Sequence, residues 1–227
     1  MTKKIEREAD RYSHDKWYEN FLYHYKFHTI IGAVLILFIA IMFYSSNMRD
    51  PVDMYILFIT ESPEVYTEKE DALTKVLTEY AADKNGDGEV NLYIQNIYIG
   101  EEFDSTNVYQ NKSFIMTSLR SGDCMFVISE DYGAQYLFDG EACSNLTSVF
   151  PEYADENLAY EGTMWNWSDS DFWKEHSEFY KAFGEMPIYF GLRAFEGTIA
   201  ETTDHAKENY KVAKDLLNAI ISNTKPE

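Results

Sequence analysis

Val52–Thr60 reads VDMYILFIT, a short and nearly continuous apolar run of the kind a sheet buries on both faces. The residues beyond it keep to one logic. Thr67 and Glu70 have the S/T-x-x-E spacing of a capping box, and behind them Leu73, Val76, Leu77, Tyr80 and Ala81 keep the i, i+3, i+4 spacing of a helix. A KNGDGE turn leads into Val90–Ile99 (VNLYIQNIYI), a second strand with partial alternation. Ser105 opens a helix through Val108, Ile115 and Leu119 that stops at Gly122, and Cys124–Ser129 (CMFVIS) is a third buried strand. Strand, helix, strand, helix, strand with short connections predicts an α/β domain with a single, mostly parallel sheet flanked by helices. Further on, Tyr132–Phe138 fits a short helix, and Pro151–Pro187 is irregular or helical. Ile188–Phe195 fits another strand, and Asp204–Ser222 a closing helix with Tyr210, Ala213, Leu216, Leu217 and Ile220 on one face.

Upstream, Ile30–Tyr44 (IIGAVLILFIAIMFY) is uninterrupted and apolar. With Phe27–Thr29 and Ser45–Ser46 it becomes long enough to cross a hydrocarbon core about 30 Å thick. Tyr18, Phe21, Tyr23, Tyr25 and Phe27 precede it as an interfacial aromatic belt does. Lys3, Lys4, Arg7, Arg11, Lys16 and Lys26 lie before the run, while Arg49 alone follows it closely. That asymmetry places the N-terminus in the cytoplasm and the C-terminal domain outside. The exit through Phe43–Asn47 shows no small-x-small cleavage pattern, so the helix is expected to stay as a signal anchor. The expected organisation is a cytoplasmic tail with a juxtamembrane helix (1–26), a transmembrane helix (27–46), a linker (47–51) and an extracytoplasmic α/β domain (52–227).

The first 28 residues are nearly balanced in charge, so the outer part holds almost all of the formal −20. Such a domain repels nucleic acid and anionic lipid, and tolerates cations, neutral sugars or basic peptides. Its two cysteines, Cys124 and Cys143, lie where a disulfide is chemically permitted. They read equally as a strand-core residue and a free loop thiol.

Ser118–Phe150 (SLRSGDCMFVISEDYGAQYLFDGEACSNLTSVF), with the strand–helix–strand–helix that leads into it, resembles the first lobe of type-2 extracellular solute-binding proteins. Ser121-Gly122-Asp123, Gly140 and Leu146-Thr147 match that lobe's "sGD", "G" and "L-T" features. The resemblance covers roughly Val52–Phe150 and implies a solute-binding lobe. Members of that family have two lobes and are secreted or lipid-anchored, whereas the residues after Phe150 are expected to be too few for a complete second lobe. Tyr25-Lys26-Phe27-His28-Thr29 is similar to an aromatic stretch before the helix of uncharacterised single-pass membrane-anchored proteins of Gram-positive gut bacteria. That likeness implies an architecture and no activity.

Asp83-Lys84-Asn85-Gly86-Asp87-Gly88-Glu89-Val90-Asn91 reproduces positions 1, 3, 5, 6 and 9 of a calcium loop. Asp83, Asn85, Asp87, the Glu89 carbonyl and Asn91 are its candidate ligands for a structural Ca2+. Position 12, which calls for a bidentate acid, is Ile94. The same residues also make a Gly- and Asp-rich turn that ends a helix.

Open α/β sheets take ligands at the carboxyl ends of their strands. Here that edge should gather Glu61 and Ser62, then Glu101 and Glu102, then Glu130, Asp131 and Tyr132. These groups suit a small neutral or cationic solute, or form a solvated acidic rim. Trp165, Trp167, Phe172 and Trp173 are dense enough for a sugar-stacking platform, and equally suit a core. Arg193, alone in an apolar strand, is expected to pair with an acid. GxSxG, HExxH, GxGxxG and GxxxxGK[ST] are absent, and only His176 and His205 lie in the outer domain. Two functions remain as expectations. The first is a non-catalytic extracytoplasmic binding module for a small solute, carbohydrate among the candidates. The second is a protein-interaction or scaffold subunit of a cell-envelope assembly, with a membrane or envelope protein as partner.

Overall fold

The computed structural model describes residues 21, 23–43, 52–61, 66–100, 105–153, 157–168 and 170–226. The chain divides into two compact units, Met1–Asp50 and Pro51–Glu227. In the first, helix α1 (Tyr23–Phe43) has 21 residues and a mean hydropathy of 2.2. At about 1.5 Å per residue it is about 31 Å long, enough to span a bilayer's hydrocarbon core. Its apolar side chains are exposed along its length, as in a helix whose solvent is lipid.

The second unit runs β1 (Met54–Thr60), α2 (Tyr66–Leu77), β2 (Leu92–Tyr98), α3 (Ser105–Arg120), β3 (Cys124–Ser129) and α4 (Asp131–Asp139). It continues through α5 (Leu146–Val149), β4 (Leu158–Ala159), β5 (Met164–Asn166), α6 (Asp171–Glu175), α7 (Ser177–Phe183), β6 (Tyr189–Leu192) and α8 (Asp204–Ile221). The strands form one six-stranded sheet in the order β2-β1-β3-β6-β5-β4. β1 pairs in parallel with β2 and β3, as the repeated strand–helix spacing requires. Beyond β3 the sheet is antiparallel, through β3–β6, β6–β5 and β5–β4. The sheet is therefore mixed, and a mostly parallel one holds only for its first half. β4 and β5 are two and three residues long, too short for any periodicity in sequence.

Alternation along β1 divides the core in two. Ile56 and Phe58 face α2, α6, α7 and α8, and pack with Leu73, Phe172, Phe179 and Leu216. Leu57 and Ile59 face α3 and α4, and pack with Ile115, Leu119, Ala134 and Leu137. The period of two in the strand and of three to four in the helices makes both layers from one sequence. Gly122, at φ +83°, ends α3 in the left-handed region, where a side chain would be strained.

Cys124 and Cys143 are both buried and free. Cys124 starts β3, and Cys143 bridges Arg193 just past the end of β6. Arg193 N–H also donates to Met125 O on the β3 side at 3.0 Å. The two cysteines thus lie on opposite sides of one strand, and neither is in a disulfide. Burial pushes each thiol up to about 12.

Candidate functional site

The chain leaves β1 for α2 on one face of the sheet and leaves β3 for α4 on the other. The carboxyl ends of β1 and β3 therefore form the switch point where open α/β sheets seat ligands. In this protein that crevice is filled by its own side chains. Lys69 and Glu130, each 2 % exposed, form an ion pair between Lys69 Nζ and Glu130 Oε1. Glu130 Oε2 accepts from the Glu61 N–H at 2.6 Å, and Glu61 Oε1 accepts from the Tyr132 N–H at 2.5 Å. Lys69 Nζ also lies 5.6 Å from the centre of the Phe183 ring. α4 seats tightly against this corner. A Cβ added to Gly133 would stand 2.2 Å from Ser129 Oγ and 2.5 Å from Ile59 Cγ2, so only glycine fits there.

Asp131 and Tyr132 are engaged as well. Asp131 Oδ1 accepts from the Tyr160 hydroxyl at 2.6 Å and the Tyr189 hydroxyl at 3.1 Å. Burial first, and then the Asp131 carboxylate, push the Tyr160 phenol well above its ordinary value. The Tyr132 hydroxyl accepts from Lys112 Nζ at 3.1 Å, and that ammonium stands 5.0 Å and 4.9 Å from the Tyr132 and Tyr136 ring centres. This contact ties α3 to α4. The structure thus brings Glu61, Glu130, Asp131 and Tyr132 to one edge, and spends them on neighbouring protein groups. Ser62, Glu101 and Glu102 lie outside the described residues.

Trp165 and Trp167 do not join this edge as a stacking platform. They are 3 % and 0 % exposed, packed in the cluster that also holds α8. The Trp167 ring centre is 4.0 Å from Phe190 and 4.2 Å from Phe179, so no open face remains for a sugar ring. The physical cause is the short β5, which turns Trp165 inward against Phe190 of β6. Arg193 differs from expectation too. Among the described residues it has no carboxylate partner, and its Nη1 lies 3.8 Å from Met125 Sδ. Desolvation lowers its pKa. His176 packs among Tyr80, Phe172 and Phe179, while His205 pairs with Asp123 at 2.8 Å.

At the opposite end of the sheet the Asp83–Asn91 turn is held by its own carboxylates and amides. Asp83 accepts from the N–H groups of Gly86 at 2.6 Å and Gly88 at 2.7 Å. Asn85 accepts from Asp87 N–H at 2.8 Å, and Asp87 from Glu89 N–H at 2.9 Å. Asp53, buried beneath, accepts from Lys84, Asn85 and Asn91 N–H at 3.0, 3.1 and 2.7 Å. Ile94 is buried and supplies no oxygen at position 12. Among the described residues no group of three or more His, Cys, Asp or Glu converges on one point. The Gly88 N–H is the main cause holding the Asp83 carboxyl below its ordinary value. A depressed carboxyl adds stability above its unfolded pKa, and that part is lost as pH falls through the lower folded value.

Several of these residues stand outside the sequence expectations: Lys69, Asp53, Tyr160 and Tyr189. Lys69 did leave a signal, since it sits at i−4 and i−7 to Leu73 and Val76 on the inward face of α2. Comparison with protein-family models, curated proteins and solved structures finds no match for this chain.

Proposed function

We propose that this chain is a membrane-anchored, non-catalytic binding module whose α/β domain stands outside the cytoplasm and takes a small neutral or cationic solute. One observation carries the anchored, non-catalytic part of the proposal. An apolar helix of spanning length precedes a domain whose carboxyl-edge acids, Glu61, Glu130 and Asp131, all accept hydrogen bonds from the protein itself. A general acid or base needs a carboxylate within reach of the substrate's proton; Glu130 is buried with both oxygens engaged, and Glu61 and Asp131 each give one oxygen to holding the edge together. The basic flank before the helix supports an outward-facing domain, and the strong negative charge supports a neutral or cationic ligand.

The burial of Trp165 and Trp167 favours a second reading, a docking subunit that uses the same fold to hold an envelope partner. A thermal-shift panel on the full-length protein, in a detergent without a sugar headgroup, separates the two. Neutral sugars, polyols, amines and basic peptides are the probes. The binding module predicts a raised melting temperature with one of these classes. A flat response across all of them overturns it in favour of docking.

The Asp83–Asn91 turn is proposed as a structural calcium site, with Asp83, Asn85, Asp87 and the Glu89 carbonyl as ligands and Asn91 as the fifth or through water. At a calcium concentration about 100 times Kd, binding to the folded state alone adds about 2.7 kcal/mol. Melting in millimolar calcium is expected to exceed melting in chelator, and Asp87→Ala is expected to remove the difference. Equal melting temperatures in the two buffers would exclude the ion.

A further inference from the structure

β1 is an interior strand of the sheet, and its Leu57 and Ile59 are completely buried on the α3 face. Tyr55 lies on that same face by alternation, yet it is 42 % exposed. An exposed aromatic on an interior strand marks a gap in the helical layer. Its register partner on β2 is Tyr93, 50 % exposed, with ring centres 5.5 Å apart and planes at 59°.

The two rings border a recess of about 380 Å³ between the amino-terminal end of the sheet and the end of α3. That lies within the range of about 300–1,000 Å³ typical of small-molecule sites. The remaining lining sets the polar side chains of Gln95, Thr117, Ser118 and Asp123 beside the apolar Ile56 and Cys124. Gln95 Oε1 accepts from Ser118 Oγ at 3.2 Å, which leaves the Gln95 amide donors without a partner among the described residues. Thr117 Oγ1 donates to Ser113 O at 2.9 Å and keeps its acceptor capacity. Asp123 engages His205 through Oδ1 only.

We propose that this recess binds a neutral pyranose, with the C–H face of the sugar on Tyr93 or Tyr55 and its hydroxyls on Gln95, Thr117 and Asp123. An aromatic surface beside separate donors and acceptors matches a ring that has one apolar face and an equatorial belt of hydroxyls. The charge of −20 and the Asp123 carboxylate disfavour anionic sugars. This rests on the binding-module reading and gives that reading a place and a ligand class.

The test is saturation-transfer NMR on the full-length protein in a non-glycosidic detergent, with methyl β-glucopyranoside and methyl β-galactopyranoside as probes. Saturation should reach the ring C–H protons of at least one pyranoside. Tyr93→Ser and Gln95→Ala, both on the edge strand, should each raise Kd about tenfold, and Ser118→Trp should abolish binding by filling the recess. Tyr109→Ala, at an exposed aromatic of α3 outside the recess, should change nothing. Transfer unchanged in Tyr93→Ser and Ser118→Trp overturns the recess while leaving the binding module intact. Silence from both pyranosides, with another solute class raising the melting temperature, overturns the sugar and not the module.

Discussion

Glu130→Ala is expected to destabilise the domain by about 3–5 kcal/mol, the cost of breaking a buried ion pair from one side. The variant leaves the Lys69 ammonium, 2 % exposed, beside Phe183 with its carboxylate partner removed, and it strips the Glu61 N–H of its acceptor. The double variant Lys69→Met, Glu130→Leu removes both charges and fills similar volume. It is expected to recover most of the loss, because a buried pair is often no more stabilising than apolar residues in its place. Thermal unfolding of the full-length protein, monitored by near-ultraviolet circular dichroism, compares both variants with the unaltered chain. If Glu130→Ala melts like the unaltered chain, the crevice is wet and open, and the carboxyl edge becomes a ligand site after all.

Trp167→Ala is expected to cost about 3–5 kcal/mol, the usual range for removing a large aromatic from a packed core. Trp167 is completely buried and touches Phe172, Trp173, Phe179 and Phe190, so its loss opens a cavity where β6 meets α6 and α7. Trp167→Phe keeps aromatic packing with Phe190 and should lose much less. A stacking platform makes the opposite forecast for alanine: little change in stability and loss of sugar binding. The same unfolding measurement decides between them.

The parallel half of the sheet was legible because β1 and β3 are continuous apolar runs and α2 and α3 bury one stripe each. The antiparallel half was not. Its direction is set by where Tyr189 and Phe190 find partners, in Ser129, Ile128, Trp165 and Asn166, and pairing across long separations leaves no local pattern. At the carboxyl edge, strand ends alone pointed to Glu61, Glu130, Asp131 and Tyr132, which the structure brings together at that edge, while Ser62, Glu101 and Glu102 lie outside the described residues. Sequence missed that the first four would be spent on one another, because Lys69, between two glutamates in sequence, looks like a surface residue until its helical phase is counted. The tryptophans show the complementary difficulty: a dense aromatic segment has the same composition whether it faces solvent or core, and only burial separates the two. Tyr55 was hidden inside a run that reads as buried on both faces, and Tyr93 inside a strand whose alternation is only partial.

The proposed display of the domain outside the cytoplasm is tested by labelling intact cells with a membrane-impermeant amine reagent. Lys75, Lys174, Lys207 and Lys211 have side chains 62, 64, 53 and 77 % exposed, so a reagent on the correct side reaches them. These lysines are expected to be modified in intact cells, while Lys3, Lys4 and Lys16 react only after lysis. Modification of the N-terminal lysines in intact cells, with the domain's lysines protected until lysis, would contradict the claim.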